Sequence, residues 1–330
     1  MLNAVLVLVV LLALSFDFIN GFHDTANSIA TTVSTRVLTP RLAILMAASL
    51  NFVGALMGHN VAKTISSGLV KGNVSQYVII SALLAAIIWN LITWYLGIPS
   101  SSSHALIGGL VGAAIAFAGG FQNIQWAGVL DKVIIPLFTS PLIGFFMGFL
   151  VMKLIYYICR AASQQKVNKA FSVMQIMSSA FMALSHGGND AQKSMGIITL
   201  ALFSAGVIPN KNVPLWVVVA CAIAMAIGTS IGGWKIIKTM GINMIKLQPS
   251  GGFAAETSAA VVIQTMTFMG APVSTTHIIS SAIMGVGTAK RLSAVRWSLA
   301  KNIVTAWVVT IPAAALIGGL IMMLIDLIVK

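Results

Sequence analysis

Two short segments set a carboxylate among amides and hydroxyls: Gly21-Phe22-His23-Asp24-Thr25-Ala26-Asn27-Ser28 and Gly187-Gly188-Asn189-Asp190-Ala191-Gln192-Lys193-Ser194. Asp24 and Asn27, like Asp190 and Lys193, are three residues apart, so on a helix each pair shares a face. Oxygen-rich groups of this kind suit a hard cation. The expected cation ligands are Asp24, Asn27, Ser28, Asn189, Asp190 and Ser194, with sodium or a proton taken up at Asp24 and Asp190. The plainer alternatives are an ion pair between Asp190 and Lys193, and interhelical hydrogen bonding by the amides and hydroxyls.

A second pair of segments points to an anion. Pro99-Ser100-Ser101-Ser102-Ser103-His104 answers Pro272-Val273-Ser274-Thr275-Thr276-His277. Proline belongs near the start of a helix. The free N–H groups and positive dipole end of such a start favour negative charge. Capping explains one hydroxyl per helix, whereas here three follow one another twice. Two such ends would cage a tetrahedral oxyanion with Ser101, Ser102, Ser103, Ser274, Thr275 and Thr276, aided by Lys193 and Gln192. His23, His104 and His277 are candidates for a proton relay. Glu256 reads as a further cation ligand or a helix-end charge.

The elements that must position these residues lie in lipid. The chain has 330 residues, 58% hydrophobic and only 8% charged, against about 25% charged in soluble domains. Mean hydropathy is +0.98. The apolar runs are long and continuous, which argues for a polytopic all-α membrane protein rather than a β-barrel. A charge at mid-membrane costs roughly 3 to over 10 kcal/mol, so Asp24 and Asp190 need a partner or a task. The net charge of +13 comes from basic residues between apolar runs, which fits anionic lipid and not nucleic acid. Cys159 and Cys221 read as small packing residues. The first apolar run lacks a basic leader and reads as a retained span.

Candidate spans fall at about 2–19, 42–58, 74–96, 103–118, 133–157, 171–184, 195–208, 214–234, 256–269, 275–289 and 302–328. The short ones flank the polar motifs, which predicts broken or re-entrant helices there. The motifs recur in order, and so do Gly54-x3-Gly58 and Lys63-Thr64, matched by Gly228-x3-Gly232 and Lys238-Thr239. The expected units are 1–125 (first repeat), 126–170 (connecting span and linker), 171–300 (second repeat) and 301–330 (final span). Arg36 and Arg41 follow the first motif, but in the second half the basic group, Lys290, Arg291, Arg296 and Lys301, closes the repeat. That switch of side is what inverted repeats demand. The linker with Lys153, Arg160, Lys166 and Lys169 would then be cytoplasmic and both termini outside. Lys63 and Lys71, against Lys235, Lys238 and Lys246, do not discriminate.

On these motifs the chain resembles the PiT family of inorganic phosphate transporters, over essentially its whole length. The resemblance implies symport of inorganic phosphate with sodium or protons, a site between the repeats, no cofactor, no enzymatic activity and, in many members, a homodimer. It places Asp24, Asn27, Ser28, Asp190, Lys193 and Ser194 in the signature motifs, and the two hydroxyl tracts on phosphate. His23 stands where many members have Asn, which leaves the coupling ion open and keeps sulfate as the alternative substrate. The short form implies a bacterial plasma-membrane protein. An intramembrane protease with Asp24 and Asp190 as its dyad, and a channel, are the competing readings. Duplicated hydroxyl tracts have no task in the protease; sequence alone separates a channel poorly from a transporter, but a duplicated site with carboxylates facing an anion argues for coupled transport.

Overall fold

A computed structural model describes residues 4–67, 69–70 and 74–329; Lys71 lies outside the described residues. The chain is helical throughout, with one isolated β-bridge, Val70 to Ile124, among the described residues. The first half runs α1 (Ala4–Ser34), α2 (Pro40–Ala55), α3 (Asn60–Ser67), α4 (Gln76–Leu96) and α5 (Ser102–Ala118). Then α6 (Trp126–Val129) passes through a π-helical turn into α7 (Ile135–Ile158). The second half repeats the order with α8 (Gln164–Ser204), α9 (Leu215–Ile231), α10 (Trp234–Ile237) and its π-helical turn (Lys238–Asn243), α11 (Pro249–Phe268), α12 (Thr275–Lys290) and α13 (Trp297–Val329). The described residues include four helical stretches long and apolar enough to cross a membrane, namely α1, α4, α6–α7 and α13. The α2–α3 and α9–α10 pairs, each bent by 65°, are apolar enough to make two more if each pair is one span.

The halves are interlocked. α2 packs on α8 and α9 on α1, while α5 packs on α13 and α12 on α7. Small residues make these crossings possible, as lipid-embedded helices require. A Cβ on Gly54 would run into the backbone of Leu184, and one on Gly228 into that of Phe18. The same relation holds at the other crossing, where Gly108 meets Ile311 and Gly144 meets Ile278. Each half thus lends its last span to the broken helix of the other half.

The breaks expected at the carboxylate motifs need correction. α1 and α8 run unbroken through the Asp24 and Asp190 motifs, so 171–184 and 195–208 are one helix of 41 residues. The polar side chains reach sideways to other helices and leave the backbone ladder intact. Breaks do occur before the hydroxyl tracts. α4 ends on Gly97 (φ 68), and Gly270 (φ 70) follows the end of α11. Both take the left-handed conformation that glycine adopts without strain. Pro99 and Pro272 then hold the chain extended until α5 and α12 begin.

Candidate functional site

α1 and α8 pack together near the middle of their lengths and bring the two carboxylates together. One ligand atom each from Asp24, Asp190 and His186 lie within 4.8 Å of one another. Asp24 is 3% exposed and Asp190 is fully buried. Two carboxylates so close in a low-dielectric interior repel, and positive charge must answer them.

The two are answered differently. Asp190 receives the Lys193 ammonium at 2.6 Å, an i, i+3 ion pair buried on both sides. Asn20 Nδ2 donates to its other oxygen at 3.4 Å, and Thr275 Oγ1 at 3.3 Å. His186 Nε2 stands 3.4 Å away, without hydrogen-bond geometry. Asp24 has no lysine. His23 Nδ1 lies 2.6 Å from it, Ser102 donates at 3.3 Å and Thr276 at 3.4 Å. Asn27, in the place that Lys193 takes in the other motif, donates to Thr275 (3.1 Å) and Thr276 (2.9 Å).

The hydroxyl tracts therefore reach the carboxylates from broken helices of both halves. Ser101 and Ser274 are the N-caps, each accepting from the N–H of the histidine three residues on, at 3.2 Å. Ser103 donates to the carbonyl of Val273 at 3.1 Å and so ties one tract to the other. His104 and His277 meet behind the tracts with ring centroids 5.0 Å apart, and His277 stacks on Trp307 at 4.1 Å. These two rings pair with each other, whereas His23 bridges Asp24 to Thr93 Oγ1, 3.0 Å from its Nε2.

Some expected ligands are engaged elsewhere. Gln192 Oε1 accepts from the N–H groups of Val61 (2.9 Å) and Ala62 (3.4 Å), capping α3. Its Nε2 donates to Gly188 O at 2.6 Å. Both ends of the amide are thus spent on backbone, away from the anion site expected for it. Asn189 Nδ2 donates to Thr267 (2.8 Å) and to Ala271 O (3.4 Å), bracing the break before α12. Asn27 Oδ1 and Ser28 Oγ are buried and lack hydrogen-bond partners, while Ser194 lies beside the buried Asp17. Orphaned oxygens beside carboxylates are the donor set a hard cation takes, so these residues fit one.

Asn20 is a site residue that the motifs do not announce, although it precedes Asp24 by the four residues that separate His186 from Asp190. Asp17, two helical turns before Asp24, is another: it is fully buried beside Ser194 and Cys221. Glu256 is not at a helix end. It is the eighth residue of α11, buried, accepting from Thr31 (2.5 Å), Thr32 (2.7 Å), Gln175 (3.2 Å) and Ser178.

Comparison with known proteins fits this arrangement. The model of the Phosphate transporter family matches residues 20–165 and again 158–318, one match for each half. A Bacillus subtilis protein named "Probable low-affinity inorganic phosphate transporter" is 50% identical over 98% of this chain and 97% of its own length. One of the same name from Rhizobium meliloti is 51% identical over the same shares. The solved structure titled "The sodium-dependent phosphate transporter" superposes with a TM-score of 0.85 at 26% identity, covering 99% of this chain and 100% of that one.

Proposed function

The chain belongs to the phosphate transporter family, and we propose that it carries inorganic phosphate across the membrane by cation-coupled alternating access. The observation that carries the reading is the meeting of Asp24 and Asp190 with the tracts of two broken helices, one from each half. Membership of a family of transporters removes the protease reading of the two aspartates.

In this proposal the cation binds first, at Asp24 with Asn27 and Ser28, near Asp190 and Ser194. Without it, two carboxylates would repel a phosphate dianion. Once it is bound, the hydroxyls of Ser102, Ser103, Thr275 and Thr276 and the N–H groups at the starts of α5 and α12 receive the anion. Lys193 keeps ammonium protons beyond the one on Asp190 and can turn them to the anion. Ser101 and Ser274 shape the two helix starts. Each ion raises the affinity for the other, which is coupling by linkage. The halves then rock about the site to expose it to the other side. Protons are relayed, where the cation is a proton, through His23, with His104 and His277 behind the tracts. The protein works in a bacterial plasma membrane, as a homodimer, without a cofactor.

Labelled phosphate uptake into liposomes holding the purified protein tests this, with sodium and proton gradients imposed separately and sulfate as competitor. Uptake driven by one gradient and resistant to sulfate is expected. Asp190→Asn should abolish uptake while folded protein remains in the membrane. Wild-type uptake by that variant, or preference for sulfate over phosphate, would refute the assignment.

A further inference from the structure

Around the carboxylates the second motif keeps the glycine, aspartate and serine of the first (Gly187, Asp190 and Ser194 for Gly21, Asp24 and Ser28) and differs from it most in charge at one position. Lys193 stands where the first motif has Asn27, and its ammonium sits 2.6 Å from Asp190 Oδ1, 1% exposed. A lysine buried to that degree cannot fetch its counter-charge from water. The other carboxylate, Asp24, is paired with a histidine and with hydroxyls. The partnerless Asn27 Oδ1 and Ser28 Oγ lie on the turn of α1 that follows it.

We propose that Lys193 is a built-in cation that takes the place of a second coupling ion, so that one monovalent cation accompanies each phosphate. The inference rests on the coupled-transport reading above. Its argument is the charge balance of the site. Two carboxylates, Asp24 and Asp190, face each other within 4.8 Å, one carries a tethered ammonium, and one transported cation at Asp24 balances the charge of this pair. With asparagine at 193 both motifs would offer Asp, Asn and Ser at matching positions, the oxygen ligands a hard cation takes. Placing lysine at position 193 fills one of them permanently. The price is that a fixed charge contributes nothing to the driving force, so the protein concentrates phosphate less steeply than a two-ion carrier would.

The test is the coupling ratio. Proteoliposomes with the membrane potential clamped are given graded gradients of whichever cation drives uptake, and phosphate accumulation is measured at steady state. A tenfold gradient should concentrate phosphate about tenfold in the wild type and about a hundredfold in Lys193→Asn, which restores the residue of the first motif. Lys193→Arg, which keeps the charge, should stay near tenfold. A wild type already near a hundredfold, or an active Lys193→Asn variant still near tenfold, would overturn the proposal. If Lys193→Asn fails to fold, the wild-type ratio decides alone. Failure of either gradient to drive any uptake would instead remove the coupled-transport reading on which the proposal rests.

Discussion

At the scale of single residues, the site is defined by which polar atoms are spent and which are left over. Thr276 receives Asn27 at 2.9 Å and gives its own proton to Asp24 at 3.4 Å, so it links the cation side to the anion side. Thr276→Val keeps the branched shape and removes both bonds. A net loss of about 1.4 kcal/mol, within the range for one or two buried hydrogen bonds, predicts that KM for phosphate rises about tenfold in uptake assays. Gln192 gives the opposite expectation. Because it caps α3, Gln192→Ala should lower stability by about 1 kcal/mol, as lost caps do, and leave KM unchanged. A thermal-unfolding shift with a constant KM would bear this out; a raised KM would return Gln192 to the anion. The aspartates, Lys193 and the hydroxyl tracts were legible in the sequence because charge and repetition in an apolar chain are conspicuous. Asn20 and the donors around Glu256 were not, since lone Asn, Thr and Ser side chains within a span carry no signal until the fold shows what they face.

At the scale of elements, the load falls on helix crossings that admit no side chain. Gly54 and Gly228 each press on the backbone of the motif helix from the opposite half. Gly54→Val or Gly228→Val would force α2 from α8, or α9 from α1. Overpacking of this kind costs about 1–3 kcal/mol or more. Each variant should show less monodisperse protein on size exclusion in detergent, and the pair should behave alike because the positions are equivalent. Unchanged yield from either would mean that the crossing is looser than drawn. Sequence patterning found most spans and their repetition, including the breaks before α5 and α12, which glycine followed by proline announces. It placed false breaks at the carboxylate motifs, because a hydropathy minimum in α1 or α8 looks the same whether the backbone leaves the helix or only its side chains turn polar.

At the scale of the whole molecule, the two-fold relation between halves makes the fold blind to which side of the membrane is which. Charge alone breaks the tie. Thr35 bonds Gln175 at 2.9 Å, Gln164 bonds Gln248 at 3.3 Å, and Arg296 N–H bonds Met244 O at 3.1 Å. These contacts gather the end of α1 and the starts of α8, α11 and α13 at one end of the bundle. Arg36, Lys166, Lys246, Arg291 and Arg296 lie there, while the loop from Gly119 to Gln125 carries no charge. Basic loops stay in the cytoplasm, so the basic end should be inside. Ser163, beyond the end of α7, and Asn123, before α6, are both exposed and suit single-cysteine labelling in a Cys159→Ser background. A membrane-impermeant maleimide on intact cells should modify Asn123→Cys and spare Ser163→Cys until the membrane is opened. The reverse pattern would leave the fold untouched, because interchanging the halves reproduces it. It would, however, put the termini inside and show that loop charge does not set the orientation of this chain.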